Sequence, residues 1–433
     1  MAPSLLIAGG TIVEPTGRRT ADVLVVDGRI AALGEPGALD GDRVLDAEDA
    51  LVMPGFVDIQ VHFRTPGGTE SEDIRSGAEG AAMGGVTSCV MMPNTVPTID
   101  NVDMVRQVLD LAAGTPCDVR TSAAITVDRA GEQLVDFDAL HAAGIRVFTD
   151  DGWSVADSGV MRAAFEATRE LPGAVLSQHA EDPVLTDDGV INDGAVSARL
   201  GLPGRPREAE EIIVARDIAL ARATGGRYHV LHMSTSLALA HVEAAKAEGL
   251  RVTAEVTPQH LVLTEDDVER LGTSGKMNPP LRLREDVEAL RGAIVRGGID
   301  AVATDHAPHH PDLKAKPLAE APPGMLGVET MASVVWDELV RSGTMTPERF
   351  VEALSVRPAE IAGIAEHGRP VAVGEPANLV VFDPEQAWTV DGSTLHSKST
   401  NTPWQGRTLR GRVRHTVLGG DAVVEHHALV GRN

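Results

Sequence analysis

The sequence has few of the features that mark secreted or membrane-embedded proteins. Cysteine occurs only twice, as Cys89 and Cys117, and two cysteines do not build the disulfide framework of a small secreted domain. No apolar run approaches the roughly 20 residues that a membrane span needs. The first nine residues lack the basic start and apolar stretch of a signal peptide. We therefore expect a cytoplasmic protein.

Positive charge and aromatic side chains are also scarce. Against 63 Asp and Glu there are 38 Lys and Arg, so the net charge is −25. Aromatic residues make up 3% of the chain, too few for a surface on which nucleic-acid bases stack. This charge repels nucleic acids and anionic membranes, and an anionic substrate would need a local arginine. The serine-hydrolase elbow, the P-loop and the dinucleotide-binding glycine motif are absent as well.

The length of 433 residues suits a large domain with a smaller one beside it. Both chain ends contain short strand patterns separated by glycine turns, at Leu5–Ala8, Thr11–Val13, Ala21–Val26, Arg29–Leu33, Val44–Asp46, Asn378–Phe382, Trp388–Val390, Gly411–Leu418 and Ala422–Val424. We predict that the two ends, residues 1–54 and 364–433, meet in one small β-sandwich domain.

The middle of the chain alternates strand and helix patterns, which indicates parallel βα units. Helical patterns include Arg207–Thr224, Ala238–Glu248, Arg284–Arg296 and Val328–Arg341. Eight strand patterns lie at Phe56–His62, Val86–Met92, Val119–Ile125, Ile145–Thr149, Ala174–Gln178, Arg227–Leu231, Arg251–Glu255 and Asp300–Ala303. Eight such units predict an α/β fold, a (β/α)8 TIM-type barrel over residues 55–363.

Histidine, aspartate and asparagine recur where these strands end, at His62, Asn94, Asp150, Asp151, His179, His232, His260, Asp305 and His306. A single histidine at such a place is more often structural than functional, but a whole set is not. The carboxyl ends of barrel strands form the active-site mouth. Imidazole and carboxylate groups are the usual ligands of zinc and similar ions. Metal-bound hydroxide could then attack an amide carbonyl, with Asp305 as the group that moves the proton.

Several segments resemble the amidohydrolase superfamily and, within it, the bacterial type I dihydroorotases. The first-strand signature is Pro54–Arg64. The other matching segments occur in order along nearly the whole chain, at Met92–Thr95, Phe148–Gly152, Gln178–Glu181, Leu231–Thr235, Ala254–His260, Met277–Arg282, Ala303–His309 and Ser397–Pro403.

The resemblance implies an enzyme that interconverts dihydroorotate and N-carbamoyl-L-aspartate in pyrimidine biosynthesis with one or two Zn²⁺ or other divalent ions. It implies that His62 and Asp305 bind a first ion and that His179 and His232 bind a second. Asp151, or its neighbour Asp150, would bridge the two ions where some relatives use a carboxylated lysine. The remaining implied roles are in substrate binding, with Arg64, Asn94 and His309 on the carboxylate and Asn278 on the ring.

One position departs from the family pattern. The family has His-x-His in the first strand, whereas this chain has Gln60-Val61-His62. A carboxamide oxygen is a poorer ligand than imidazole for zinc-like ions. The first ion could therefore bind weakly while the second is retained, the site could prefer a harder metal, or the protein could be a degraded paralogue. A second departure lies after His309, where a Glu-Lys pair is expected and Asp312-Leu313-Lys314 is present.

Three functions stay open at this point. The first is a working dihydroorotase, and the second is a hydrolase of another cyclic amide, imide or ureide. The third is a weakly active homologue that acts as a structural partner of another enzyme. The family resemblance also implies a homodimer or an assembly with aspartate transcarbamoylase. The Pro- and Gly-rich loop over residues 309–327 is expected to close over the mouth.

Overall fold

The computed structural model describes residues 3–431. Residues 1–2 and 432–433, which belong to the predicted terminal domain, lie outside the described part of the chain. Within residues 3–431 the strands fall into one nine-stranded sheet from the two chain ends and two parallel sheets from the middle, besides a short two-stranded pair at Ile191–Asn192 and Gly204–Arg205. No helix in this part of the chain combines the length and apolarity that crossing a membrane requires.

The middle of the chain contains eight parallel strands, each overlapping a predicted one, and this confirms an α/β chain built on parallel strands. The first three strands form one sheet and the last five form another, and in each sheet neighbouring strands are consecutive among these eight. Single parallel bridges from Ala123 to Phe148 and from Val61 to His306 connect the two groups on both sides. The strands are Phe56–Val61, Val86–Met91, Asp118–Thr121, Val147–Phe148, Val175–Gln178, Tyr228–Val230, Val252–Val256 and Ala301–Val302.

Helices follow most of these strands and cover them. The longest, Glu208–Thr224, has three acidic residues in its first turn. Their negative charges interact favourably with the positive end of the helix dipole. It ends at Gly225, whose φ of 74° is the left-handed conformation that suits glycine. The α-helices are Ile74–Met83, Val102–Ala112, Phe137–Ala142, Ser158–Thr168, Pro183–Thr186, Ala195–Leu200, Glu208–Thr224, Ser236–Ala247, Asp267–Leu271, Arg284–Arg296, Pro311–Lys314, Met331–Val335, Pro347–Val351 and Arg357–Ala362.

The predicted helix over Val328–Arg341 begins later than expected and changes type. It is α-helical only over Met331–Val335 and continues as a π-helix over Trp336–Val340. The segment before it is held at His306, whose Nδ1 accepts from the N–H groups of Gly327 and Val328 at 3.2 and 3.4 Å. These residues therefore tie the helix start to the strand end that carries Asp305.

The two chain ends share one sheet. Leu51–Pro54 from the first end pairs with Leu379–Thr389 from the second. The sequence patterns predicted separate strands on either side of Gly9-Gly10 and of residues 383–387, and this is wrong. At both places a bulge shifts the register, but one strand continues through it. The strands of this sheet are Leu5–Glu14, Gly17–Val26, Arg29–Gly34, Arg43–Asp46, Leu51–Pro54, Leu379–Thr389, Thr408–Leu418, Asp421–Glu425 and Ala428–Leu429.

His415 links the two chain ends through its buried ring. Its Nε2 contacts the main-chain oxygen of Asp46 at 3.2 Å, and Nδ1 accepts from the N–H of His426 at 3.3 Å. This arrangement uses the neutral ring, one nitrogen as donor and the other as acceptor. Burial and the neighbouring His426 lower the pKa of His415 to about 4.

We predict that His415 makes the protein less stable as the pH falls from about 6.5 towards 4. In that window the unfolded chain gains a proton at this residue and the folded chain does not, so folding is disfavoured. His415→Gln, whose carboxamide can also donate and accept, should lose about 1–2 kcal/mol less of its unfolding free energy than the parent between pH 7 and pH 5. Urea unfolding of both proteins at the two pH values measures this difference, and parallel losses in the two proteins would contradict it.

Candidate active site

The predicted site residues converge at the carboxyl ends of the parallel strands. A cavity of about 210 Å³ opens there. It is lined by every predicted ligand and substrate-binding residue except Gln60, namely His62, Arg64, Asn94, Asp151, His179, His232, Asn278, Asp305 and His309. Gln60 is fully buried in the first parallel strand and contacts the same group from behind.

Three of these side chains form a compact cluster of potential metal ligands. His179 Nδ1 lies 3.0 Å from His232 Nε2 and 3.7 Å from Asp151 Oδ1, while His232 Nε2 lies 3.4 Å from the same Asp151 oxygen. Zinc bonds to nitrogen and oxygen are about 2.0–2.2 Å long, so one ion can touch all three corners of such a triangle. Among residues 3–431 this is the only set of three His, Cys, Asp or Glu ligand atoms lying within 4.8 Å of one another.

The structure separates the roles of the two adjacent aspartates. Asp150 turns into the protein, where Oδ1 accepts from the N–H groups of Ile125 and Thr126 at 2.8 and 3.1 Å. Burial raises the pKa of its carboxyl group. Asp151 points into the cavity instead. Burial alone would also raise the pKa of Asp151, but hydrogen bonds from His179 and His232 outweigh it and hold that pKa well below its usual range.

His62 and Asp305 form a second polar group beside the cluster. Nε2 of His62 lies 2.9 Å from Asp305 Oδ1 and 3.3 Å from Asp151 Oδ2. Its other nitrogen, Nδ1, lies 2.9 Å from the amide oxygen of Asn94. Asn94 therefore fixes the ring of His62 and turns its own amide nitrogen away from that ring. Asp151 consequently joins the His62–Asp305 pair to the two histidines on the far side of the cavity.

Gln60 contacts the same carboxylate that the three histidines approach. Its Nε2 donates to Asp151 Oδ1 at 3.3 Å, and its Oε1 is buried without a hydrogen-bond partner among the described residues. A buried oxygen without a partner costs free energy of folding unless a cation or a water molecule interacts with it. The carboxamide thus fits beside a divalent ion, but its N–H group occupies one lone pair of the carboxylate expected to bridge two ions.

Glu181 is a functional candidate that the sequence patterns did not single out. Its buried carboxylate lies 3.0 Å from Nε2 of His179 and 2.9 Å from Nη1 of Arg205. It leaves Nδ1 of His179 free to face the ligand cluster. Burial favours a neutral Glu181, but its contact with His179 and the nearby arginines outweigh burial and lower the pKa to about 2. An acidic residue two positions after a proposed histidine ligand is the signal that could have predicted it, since such ligands usually donate to a carboxylate.

The proposed substrate side of the cavity is cationic. The guanidinium of Arg64 donates from Nε to the main-chain oxygen of Pro308 at 3.1 Å, and its Nη2 lies 3.4 Å from His309 Nε2. Burial lowers the pKa of Arg64 only to about 10, so the group stays charged at neutral pH. Asn278 also lines the cavity. The amide orientation that satisfies both of its atoms has the nitrogen donating to Met277 O and the oxygen accepting from Arg205 Nη2.

The loop over residues 309–327 lies against the mouth, and its Pro323 and Gly324 line the cavity. Nζ of Lys314 holds it by donating to the main-chain oxygens of Pro322 and Gly324, each at 3.0 Å. The expected Glu-Lys pair after His309 is thus replaced by a single buried lysine that ties the loop to itself. Burial lowers the pKa of Lys314 to about 7.

Three of the nine non-glycine residues with a positive φ among residues 3–431 line the cavity. Arg64, His232 and Asp305 have φ angles of 34°, 32° and 49°, which residues with a side chain rarely adopt. Such conformations cost of the order of 1–3 kcal/mol each and persist where the surroundings hold them. Three strained residues on three strand ends therefore mark this cavity as a functional site.

Comparison with known proteins agrees with this geometry. Residues 49–237 match the family described as dihydro-orotase-like. The chain is 44% identical to a dihydroorotase of Anaeromyxobacter dehalogenans and 42% identical to one of Streptomyces coelicolor, covering 98% and 97% of this chain and 99% and 98% of those proteins. It is also similar to the solved structure of an L-hydantoinase (dihydropyrimidinase) from Arthrobacter aurescens, with a TM-score of 0.89 and 26% identity over 98% of this chain and 97% of that one.

Fold, cavity and relatives together define a metal-dependent cyclic amidohydrolase. Within that class the chain belongs to the dihydroorotase family.

We predict that Glu181→Gln weakens metal binding about 10–100-fold, because the neutral amide no longer fixes the orientation and basicity of His179. Zinc affinity, measured by competition with a chromophoric chelator, reports this effect without requiring turnover. The matched control is Glu269→Gln, which removes a surface ion pair with Arg199. Equal zinc affinities for parent and Glu181→Gln would show that Glu181 does not support the metal site.

Proposed function

We propose that this protein is a working dihydroorotase that hydrolyses the ring amide of dihydroorotate to N-carbamoyl-L-aspartate and also catalyses the reverse reaction in pyrimidine biosynthesis. The observation that carries the proposal is the composition of the cavity. The ligand cluster of Asp151, His179 and His232 and the buried cation of Arg64 line the same cavity. The cluster suits the activation of an amide, and Arg64 suits the carboxylate of the substrate.

We propose that Asp151, His179 and His232 hold a zinc ion, with His62 and Asp305 beside it. A bound divalent ion supplies acidity to a water molecule and polarises the amide carbonyl. Asp305 is the residue that takes the proton of the attacking water and returns it to the ring nitrogen. Its contact with His62 holds one carboxylate oxygen in place, which leaves the other oxygen for the proton.

The residues around Arg64 would orient the substrate. Its guanidinium, with the Asn94 amide and His309, would hold the substrate carboxylate, and Asn278 would contact the ring. Burial and the nearby charge of Arg64 lower the pKa of His309 to about 3, so its ring is neutral when it meets the substrate. The loop that carries Pro323 and Gly324 would exclude water from the bound ring.

A hydrolase of another cyclic ureide is the second candidate, because the fold also resembles a hydantoinase. Arg64 disfavours it. A ring without a carboxylate would leave this buried guanidinium without an anionic partner, which costs binding energy. The likeness to dihydroorotases over nearly the whole chain disfavours the third candidate, a homologue with a purely structural role.

We infer that the eight parallel strands close into the predicted (β/α)8 barrel over residues 55–363, since the bridge between Val61 and His306 joins the last strand to the first. The shared sheet of the two chain ends supports one composite domain of residues 1–54 and 364–433. Its β-sandwich form, a cytoplasmic location, a homodimer and an assembly with aspartate transcarbamoylase stay predictions.

The decisive experiment for the proposed activity is turnover of dihydroorotate by the purified, zinc-loaded protein. N-carbamoyl-L-aspartate should form, and Asp305→Asn should lower kcat about 10²–10⁴-fold because proton transfer is lost. The control is Asp312→Asn, whose carboxylate is exposed on the loop and contacts only His310 among the described charged residues. Turnover of hydantoin or dihydrouracil without turnover of dihydroorotate would support the second candidate instead.

Gln60 should limit the number of ions rather than abolish activity. We predict about one zinc ion per chain in the parent and a second in Gln60→His, which restores an imidazole beside His62 and frees the Asp151 lone pair. Turnover of dihydroorotate should rise with the second ion. The matched control is Gln259→His, another buried glutamine near the mouth, which donates to Thr304 O instead of Asp151. Unchanged metal content and turnover in Gln60→His would exclude Gln60 as the cause of a missing ion.

A further inference from the structure

Arg129 is a cation beside Gly152 and Asp151, two residues that line the cavity. It follows the third parallel strand, and burial lowers the pKa of its guanidinium despite the nearby charges of Asp151 and Asp150. Nη1 donates to the main-chain oxygen of Asp151 at 3.0 Å, and Nε is buried without a partner. None of the ion pairs within 4.0 Å among residues 3–431 includes Arg129, although most arginines of this acidic chain form one. Nη2 has no hydrogen-bond partner among the described residues, so its N–H groups remain available to an anion.

The space in front of this guanidinium is kept open by a glycine. Gly152 lines the cavity and has a φ of 85°. A methyl group on its Cα would lie 3.4 Å from Nδ2 of Asn94 and 3.7 Å from Nη1 of Arg129. Both nitrogens are donors that a side chain at position 152 would cover. Glycine at this position therefore leaves the two donors uncovered beside the cavity.

The loop that carries Arg129 is built to hold it there. Asp128 and Arg129 have φ angles of 55° and 56°, and the N–H of Asp128 donates to Asp100 at 2.9 Å. Thr126 fixes the base of the loop by donating to Asp150 and by accepting from the N–H of Gly131. Two consecutive left-handed residues cost backbone energy that these contacts offset.

We propose that Arg129 extends the substrate-carboxylate site of Arg64, Asn94 and His309, and that Arg129 sets the preference for anionic rings. The inference rests on the proposed dihydroorotase function, because it assigns the ligand of Arg129 as the carboxylate shared by dihydroorotate and N-carbamoyl-L-aspartate. Arg129 is a substrate-binding residue in this scheme, with no part in the proton transfer. A protein with a net charge of −25 gains an attractive local field for such an anion.

The test is Arg129→Gln in the zinc-loaded protein. We expect KM for dihydroorotate and the Kd of orotate, its planar analogue, to rise about tenfold or more, since a charged hydrogen bond is lost. Values of kcat and zinc content should stay as in the parent. The effect of added salt on KM should shrink, because a screened charge has been removed. Arg129→Lys, which keeps the charge but not the planar fork, should fall between the parent and Arg129→Gln, and serves as the variant to measure if Arg129→Gln does not fold.

The control is Arg222→Gln, which removes an exposed arginine paired with Glu248 far along a surface helix. Binding of uracil, which lacks the carboxylate, should be equally weak in parent and Arg129→Gln. Unchanged KM and orotate affinity in both Arg129 variants would overturn the proposal. Loss of zinc or of kcat at unchanged KM would also overturn it, because Arg129 would then act through Asp151. A parent protein that neither binds orotate nor converts dihydroorotate would instead refute the dihydroorotase function itself.

Discussion

The site depends on keeping the carboxylate of Asp151 ionised inside the protein. Only 3% of this side chain is exposed, and an isolated buried carboxylate would take up a proton instead. Its charge is held by His62, His179 and His232 from three strand ends and by the Gln60 amide from within the first strand. These donors meet only if the parallel strands keep their order and register. The packing of the strands therefore determines the geometry of the site.

Around Asp151, each buried charged side chain contacts one of opposite charge. Glu181 contacts His179 on one side and is itself contacted by Arg205 and by the fully buried Arg282. The desolvation cost of burying these charges is offset because each has an opposite charge nearby. The same principle explains the asymmetry of the cavity. The wall with Asp151 and Asp305 attracts a cation, whereas Arg64 adds a buried positive charge to the lining of the same cavity. A substrate with an amide at one end and a carboxylate at the other suits this division.

Much of this arrangement could be predicted from the sequence, and the rest could not for identifiable reasons. Strand–helix alternation located all eight parallel strands, and polar residues at strand ends located the cavity, because the period of a pattern and the end of a strand are local properties. Glu181 was missed although it lies only two residues after its partner His179, whereas the role of Arg129 depends on which loops become neighbours. The choice between Asp150 and Asp151 escaped because one residue along an irregular turn reverses the direction of a side chain. The late start of the helix after Gly327 was also missed. The preceding N–H groups of Gly327 and Val328 donate to His306, about 20 positions earlier in the chain, and no local pattern predicts that contact.

Gln60 stands where the family resemblance predicts a histidine, and it contacts Asp151 from a fully buried position in the first strand. Imidazole and carboxamide are both planar and polar. They differ in what they offer the neighbouring carboxylate. An imidazole that binds an ion leaves the Asp151 lone pairs to bridge, whereas the Gln60 N–H group donates to one of them. The donated hydrogen bond stabilises the charge of Asp151 as a second ion would, but more weakly. The chain therefore keeps an ionised carboxylate in the cluster of Asp151, His179 and His232, where we propose that one ion binds.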